Sequence, residues 1–280
     1  MDMGEINLKN TEHNIFKFNL LSSLLFVLNH NDKDDTDFII AWYLITHMKK
    51  IKDISIYKIA EECYVSRSSI QRFIKNIGYE SYTQLKENAD EILTHELGFI
   101  DYTDHAEYQQ YLTHSITEMM GDVIKATESK RYQELIDTFM SSENIVILTA
   151  EDSSHACKVF QQQALTVHKM VRIVTSASNT LSILESMQPD DLLIVCSVTG
   201  NFALAINSQI REINARKCLV TMNTTSRFEG VYDLIYYMSS LYRLNAHNFV
   251  SNRNVYNYYG LNMFFDLFYH DCYLKYNKQK

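Results

Sequence analysis

Residues that punctuate structure are scarce in this chain. Among 280 residues there is one proline and there are seven glycines. Those two residue types mark most tight turns, one by fixing φ and the other by supplying φ > 0. Their shortage predicts domains built mostly of helix and strand. Cysteines are few and scattered: Cys63, Cys157, Cys196, Cys218 and Cys272. No two are spaced as a CxxC pair, so neither a zinc site nor a redox motif is expected, and the five read as reduced, mostly buried thiols. No run of about 18 apolar residues exists, so no transmembrane helix and no membrane partner are expected. The first residues, MDMGEINLKNTEHN, lack the basic-then-apolar order of a secretion signal, which makes the cytoplasm the expected location. Net positive charge is also missing. A formal charge of −8 excludes indiscriminate nucleic-acid binding by the whole surface, but not a local basic face.

What is present is ordinary globular material, 46% hydrophobic and 21% charged. The length fits two domains. From about Leu20 to Leu97 the spacing reads as helices. Leu21, Leu24, Leu25 and Leu28 form one apolar stripe. Phe38, Ile39, Trp42, Tyr43, Ile45 and Thr46 form a second, after an acidic start (Asp34, Asp35, Asp37) that suits the positive end of a helix dipole. Residues 101–142 read as long helices with Tyr108, Tyr111, Leu112, Ile116, Met119 and Met120 on a buried face. They serve as a linker or as the first layer of a second domain. From Asn144 the pattern changes to short, fully apolar runs at 145–148, 171–174, 192–196, 218–220 and 234–237, separated by helical segments. Such alternation implies a parallel sheet covered on both faces. The expected fold is therefore α/β with an all-α N-terminal domain: a helix-turn-helix bundle over 1–97, a helical linker over 98–142 and a parallel-sheet α/β sandwich over 143–280. The aromatic stretch Tyr256, Tyr258, Tyr259, Phe264, Phe265 and Phe268 reads as core or dimer interface.

The most informative segment runs from Ser55 to Gly78. A helix starts after Ser55 and carries Ile56, Ile59 and Ala60. A turn at Tyr64 and Val65 follows, then a second helix capped by Ser66 with Ile70, Phe73 and Ile74 inward, ended by Gly78. The second helix exposes Arg67, Ser68, Ser69, Gln71, Arg72 and Lys75, and no acidic residue lies between Tyr64 and Asn76. A helix that enters the major groove needs such a face. Side chains near its N-terminus reach base edges and its cations meet phosphate. Arg and Gln can make paired contacts to guanine and adenine, whereas Ser is less selective. The plainer account is a solvated amphipathic helix in a bundle. Three cations without an acid, directly after a capped turn, favour DNA. Ser66, Arg67, Ser68, Ser69, Gln71, Arg72 and Lys75 are the expected DNA-binding residues.

From Val65-Ser66 through Arg72-Phe73 to Gly78-Tyr79, and on to Tyr82-Thr83-Gln84-Leu85-Lys86, the chain resembles the RpiR/MurR-type bacterial transcriptional regulators. Nearly every fixed position of their motif is met. The resemblance covers the first third of the chain. It implies a C-terminal sugar isomerase (SIS) domain that binds a phosphosugar, a double-stranded operator as partner, and a homodimer or homotetramer. In SIS domains the first strand runs into a glycine-rich turn and a serine. Here that turn is Leu148-Thr149-Ala150-Glu151-Asp152-Ser153-Ser154, with Thr149 and Glu151 standing where glycines are usual. The third strand runs into Ser197-Val198-Thr199-Gly200-Asn201-Phe202, similar to the S-x-S-G-x-T of the family, with Phe202 in place of threonine. The fourth strand ends at Thr221. The expected ligand-binding residues are thus Ser153, Ser154, Ser197, Thr199, Gly200, Asn201 and Thr221. Hydroxyls and free N–H groups at strand ends and helix N-termini bind phosphate. An inward Glu151 carboxylate would repel it by several kcal/mol at ~4 Å and an effective dielectric of ~20.

Two other accounts remain open at this point. The pocket either keeps a phosphosugar or has drifted to another ligand or to dimerisation alone. Alternatively, the chain is a sugar-phosphate isomerase. That chemistry needs a base beside the substrate carbon, and Glu151, Asp152, His155, Glu185, Glu212 and His247 are the candidates, none singled out by spacing. His155 and His168 read as packing or surface residues. The expected function is a non-enzymatic, DNA-binding regulator of carbohydrate genes, without cofactor or metal. The serine pair at 153–154, taken alone, reads as ordinary helix capping.

Overall fold

A computed structural model of the chain describes residues 20–89, 100, 103–176, 181–239 and 254–278. The chain divides into two compact units, Met1–Ile100 and Asp101–Lys280.

The first unit is helical among its described residues: α1 (Leu20–His30), α2 (Thr36–Thr46), a 3-10 turn at Met48–Lys50, α3 (Ile56–Glu62), α4 (Arg67–Asn76) and α5 (Tyr82–Glu87). Its core gathers Leu20, Leu24, Ile40, Leu44, Ile59, Ile70, Phe73, Ile74 and Leu85, each 1% exposed or less. Two sequence expectations need correction. In α1 the buried stripe runs through Leu20, Ser23 and Leu24, and Leu25 is 42% exposed. In α2 the buried face is Ile40, Ala41, Tyr43 and Leu44, while Trp42 is exposed and stacks on Phe38. Both helices are apolar on nearly every side. Periodicity alone cannot pick the inward face of such a helix; only its neighbours can.

In the second unit, α6 (Tyr108–Ala126) and α7 (Lys130–Ser141) precede the sheet. Their Met119, Val123, Tyr132, Leu135 and Phe139 belong to the core of that unit, and α7 packs against β5. Met120, expected inside, is 42% exposed; its neighbour Met119 takes the buried position. Five strands follow: β1 (Ile145–Thr149), β2 (Val171–Thr175), β3 (Leu192–Cys196), β4 (Arg216–Thr221) and β5 (Leu234–Tyr237). All pairings are parallel, in the order β2-β1-β3-β4-β5. Every residue of β1 and β3 is buried, as expected of strands covered on both faces. This is the parallel α/β sandwich that the apolar runs foretold.

The connecting helices are α8 (Ser154–Ala164) between β1 and β2, α9 (Leu181–Glu185) between β2 and β3, and α10 (Asn201–Ala205) with α11 (Asn207–Glu212) between β3 and β4. The strand order reverses direction at the β1–β3 pair. In parallel sheets of this order, right-handed crossovers place the helices after β1 and β3 on opposite faces, and the crevice for a ligand lies at the carboxyl ends of those two strands. A π-helical turn at Tyr256–Gly260 leads into the terminal helix α12 (Leu261–Lys278). Phe264, Phe265 and Phe268 are 1–2% exposed. They interlock with Phe139 and Phe160 at centroid separations of 4.6 Å (Phe160–Phe265) and 5.3 Å (Phe139–Phe268). Burying each ring is worth roughly 1.5–3 kcal/mol. The aromatic stretch is therefore core for these residues, while Tyr258 and Tyr259 remain about 40% exposed. All five cysteines are free and buried.

Candidate nucleic-acid interface and ligand site

Helix α3 begins where Ser55 Oγ accepts the Lys58 N–H at 3.2 Å. After α3 the chain reverses through Tyr64, held at φ 54°, and the Val65 N–H returns to Ala60 O at 3.0 Å. Ser66 then caps α4, its Oγ accepting the Ser69 N–H at 3.1 Å. The same oxygen lies 2.7 Å from Ser68 Oγ and 2.9 Å from Ser69 Oγ. The far end of α4 is a Schellman closure: Tyr79 N–H donates to Ile74 O, Gly78 N–H donates to Lys75 O, and Gly78 takes φ 92°. Tyr82 OH donates to Ile51 O and Ile54 O, fastening α5 beneath the turn that leads into α3. The Ser66 cap and the closed C-terminus hold α4 at both ends.

Along α4, Ile70, Phe73 and Ile74 point into the core. Arg67, Ser68, Gln71, Arg72 and Lys75 are exposed, and Ser69 is half-buried. At 100° per residue the exposed set spans about half the helix, with Arg67, Gln71 and Lys75 in one row and Ser68 and Arg72 in the next. Next to this face, the Arg67 guanidinium lies 4.7 Å over the ring of Tyr57. Tyr57 is 64% and Tyr64 96% exposed. Reading the sequence for cations passed over both tyrosines. Their signal was an aromatic at positions where a two-helix motif needs neither core nor cap.

At the carboxyl ends of β1 and β3, polar side chains are sorted by where their protons go. Thr149, fully buried, donates its hydroxyl to Cys196 O at 3.1 Å, crossing to the neighbouring strand. Thr221, also fully buried, donates to Val198 O and accepts from the Asn223 N–H. Ser197 Oγ instead accepts the Ala203 N–H at 3.2 Å, and Thr199 Oγ1 accepts the Asn201 N–H at 3.4 Å. A hydroxyl that accepts from the chain keeps its own proton to give. Gly200 sits at φ 78°, and a Cβ there would lie 2.5 Å from Asn223 Cβ. Asn223 Nδ2 donates to Thr199 O at 3.0 Å, so the β3 and β4 loops are stitched together through this close approach.

The β1 loop differs. Ser153 occupies the N-cap position of α8 without a side-chain cap bond, and its Oγ lies 3.4 Å from Asp152 Oδ1. Ordinary capping, the plainer account of this serine, is therefore not what its hydroxyl does. Ser154 is buried. The Glu151 N–H donates to Ser176 Oγ at 3.2 Å. Glu151 Oε2 is buried and has no hydrogen-bond partner among the described residues. The structure thus brings Ser153, Ser154, Ser197, Thr199, Gly200, Asn201 and Thr221 to the carboxyl edge of three adjacent strands.

Of the candidate bases, Glu151 is half-buried in the β1 loop itself, and Asp152 beside it is exposed. His155, Glu185 and Glu212 are exposed. His168 is an exposed residue in left-handed conformation with its ring against Tyr276. His247 lies outside the described residues. Among the described residues, no group of His, Cys, Asp and Glu is arranged to hold a metal ion, and no helix is long and apolar enough to cross a membrane.

Residues 19–95 match the helix-turn-helix domain of the rpiR family, and this region of the chain is such a domain. Among curated proteins, the chain is similar to the HTH-type transcriptional regulator GlvR of Bacillus subtilis, 19% identical over 176 residues, covering 61% of this chain and 64% of that one. It is also similar to the uncharacterized HTH-type transcriptional regulator YfhH of Escherichia coli, 21% identical over 170 residues, covering 58% and 60%. In each case the match spans less than two thirds of the relative's length. Among solved structures, the chain is similar to the Vibrio vulnificus NanR protein complexed with ManNAc-6P, with 15% identity, coverage of 93% and 95%, and a TM-score of 0.47. A second is the sugar isomerase domain of an RpiR transcription factor from Sphaerobacter thermophilus, with 13% identity, coverage of 61% and 93%, and a TM-score of 0.47.

Proposed function

We propose, from the premise that an rpiR-family helix-turn-helix domain forms the N-terminal unit, that the chain is a cytoplasmic DNA-binding regulator of carbohydrate genes. Its C-terminal unit senses a phosphorylated sugar. The observation that carries the first half is the exposed face of α4: Arg67, Ser68, Gln71, Arg72 and Lys75 outward, no acid among them, on a helix capped at both ends. Laid in a major groove, Arg67, Ser68 and Gln71 meet base edges, while Arg72 and Lys75 meet phosphate. Two copies of the chain place two such helices on a pseudo-palindromic operator.

The effector half rests on the crevice at β1 and β3. Ser197 and Thr199 hold their hydroxyls by accepted bonds and keep their protons for an anionic oxygen, while Thr221 and Asn223 hold the loop in place. Glu151, whose Oε2 is otherwise unpartnered, receives a sugar hydroxyl. Ligand binding then shifts the population of dimer geometries that fit the operator spacing. Function is by binding rather than turnover, in keeping with the matched relatives being named transcriptional regulators.

The test is a gel-shift titration on DNA enriched by the chain from a random pool. Arg72→Ala should weaken binding about tenfold at moderate salt and lower the slope of log K against log salt by about 0.9, one phosphate contact. Unchanged affinity and slope would remove α4 as the reader. Thermal unfolding with a panel of free and phosphorylated sugars tests the effector, since a ligand of the native state raises the midpoint. No shift with any phosphorylated sugar would refute the sensing half. Turnover of an aldose or ketose phosphate would replace it with isomerisation.

A further inference from the structure

Resting on the DNA-binding reading, we infer that Tyr57 on α3 is a positioning residue that sets base selection by stacking under Arg67, the first residue of α4. The guanidinium lies 4.7 Å over the Tyr57 ring, and both side chains stand at the surface.

An arginine at the start of a groove-entering helix has many rotamers, and fixing one on contact with a base costs entropy. A carboxylate partner would fix it, but by occupying the N–H donors that must pair with guanine. An aromatic face does otherwise. It holds the plane of the guanidinium through its π surface and leaves the five in-plane N–H groups free. Of the two acids on α3, Glu62 is turned back along its own helix to Lys58 at 3.7 Å, and neither it nor Glu61, one turn on from Tyr57, forms an ion pair with Arg67 among the described residues. Tyr57 also has no packing reason to be aromatic. It is 64% exposed, whereas Ile59, two residues on, fills the core. Both ends of the stacked pair are rigid: Tyr57 sits in the first turn of a helix capped by Ser55, and Arg67 follows directly on the Ser66 cap. Because stacking on one face leaves only in-plane approach, the pair favours guanine, whose O6 and N7 accept a two-pronged contact.

The experiment is selection from a random DNA pool by the full-length protein and by the variants Tyr57→Phe, Tyr57→Leu, Arg67→Ala and Tyr57→Leu/Arg67→Ala, followed by titration on the enriched sequence and on scrambled DNA. Tyr57→Phe should select the same sequence as the unaltered chain. Tyr57→Leu should lose two- to fivefold in affinity for the enriched DNA, the size of an exposed cation–π contact. That loss should be confined to one guanine of each half-site, with scrambled DNA bound equally well. Its salt slope should not change, because no charge is removed. The double variant should be no weaker than Arg67→Ala. The inference is overturned if Tyr57→Leu keeps the guanine preference, weakens enriched and scrambled DNA equally, or adds to Arg67→Ala. If the unaltered chain enriches no DNA, the regulator reading falls, and this inference with it. Thermal midpoints of the variants should match that of the parent, which separates lost contact from lost fold.

Discussion

The face of α4 and the crevice at the ends of β1 and β3 are both polar, yet their polar groups are in opposite states. On α4 the side chains of Arg67, Gln71, Arg72 and Lys75 point outward, and the hydrogen bonds that shape the helix come from Ser66 and the backbone. In the crevice, Thr149, Thr221 and Asn223 use their hydrogen bonds to hold the loops, whereas Ser197 and Thr199 accept from the backbone and retain their protons. A surface that meets a large partner can leave its readers unattached. A crevice inside a fold must first satisfy its own buried donors and acceptors. Substitutions should therefore separate the two regions: on α4, stability and binding come apart, whereas in the crevice they are lost together.

The largest expected effect lies under α4. Phe73→Ala empties a fully buried site and should cost the first unit about 3–5 kcal/mol, read by chemical denaturation followed by circular dichroism. Gln71→Ala, on the opposite side of the same helix, should change stability by less than about 0.5 kcal/mol while altering DNA selection. Similar stability losses for the two would erase the distinction between the faces of α4. In the crevice, Gly200→Ala should cost about 3 kcal/mol, from left-handed strain and from a Cβ driven against Asn223. Any thermal response to phosphorylated sugars should vanish with it. A tolerated alanine would mean that the β3 and β4 loops move apart easily, and the contrast would lose its stiff member. The smallest effect should be a gain. Tyr64 holds φ 54° with its side chain in solvent, so Tyr64→Gly should raise stability by about 0.5–1 kcal/mol in the same denaturation assay. A loss would show that the exposed ring has a partner within the chain.

How far each region could be read beforehand follows from the range of the interactions that make it. The caps at Ser55 and Ser66 and the left-handed glycine at Gly78 came out where the sequence placed them, because each is decided within a few residues. The five strands were legible for the same reason, as short apolar runs between helical spacings. Leu25, Trp42 and Met120 were assigned inward and are exposed, since which side of an all-round apolar helix is covered depends on partners distant in the chain. The strand-end loops were legible as a place, but not as a mechanism. Nothing local says that Thr149 turns its hydroxyl to Cys196, or that Asn223 reaches Gly200 from another strand.

Composition and short-range pattern were thus enough to specify two units, a capped cationic helix and a doubly covered parallel sheet. Periodicity, capping and turn chemistry act over one to four residues. The folded arrangement alone settled which hydroxyl protons remain free, which glycine admits no side chain and which aromatic lies under Arg67. Those are contacts between elements far apart in the chain, and a hydrogen bond or a stacked ring forms only where packing brings both partners within a few ångströms.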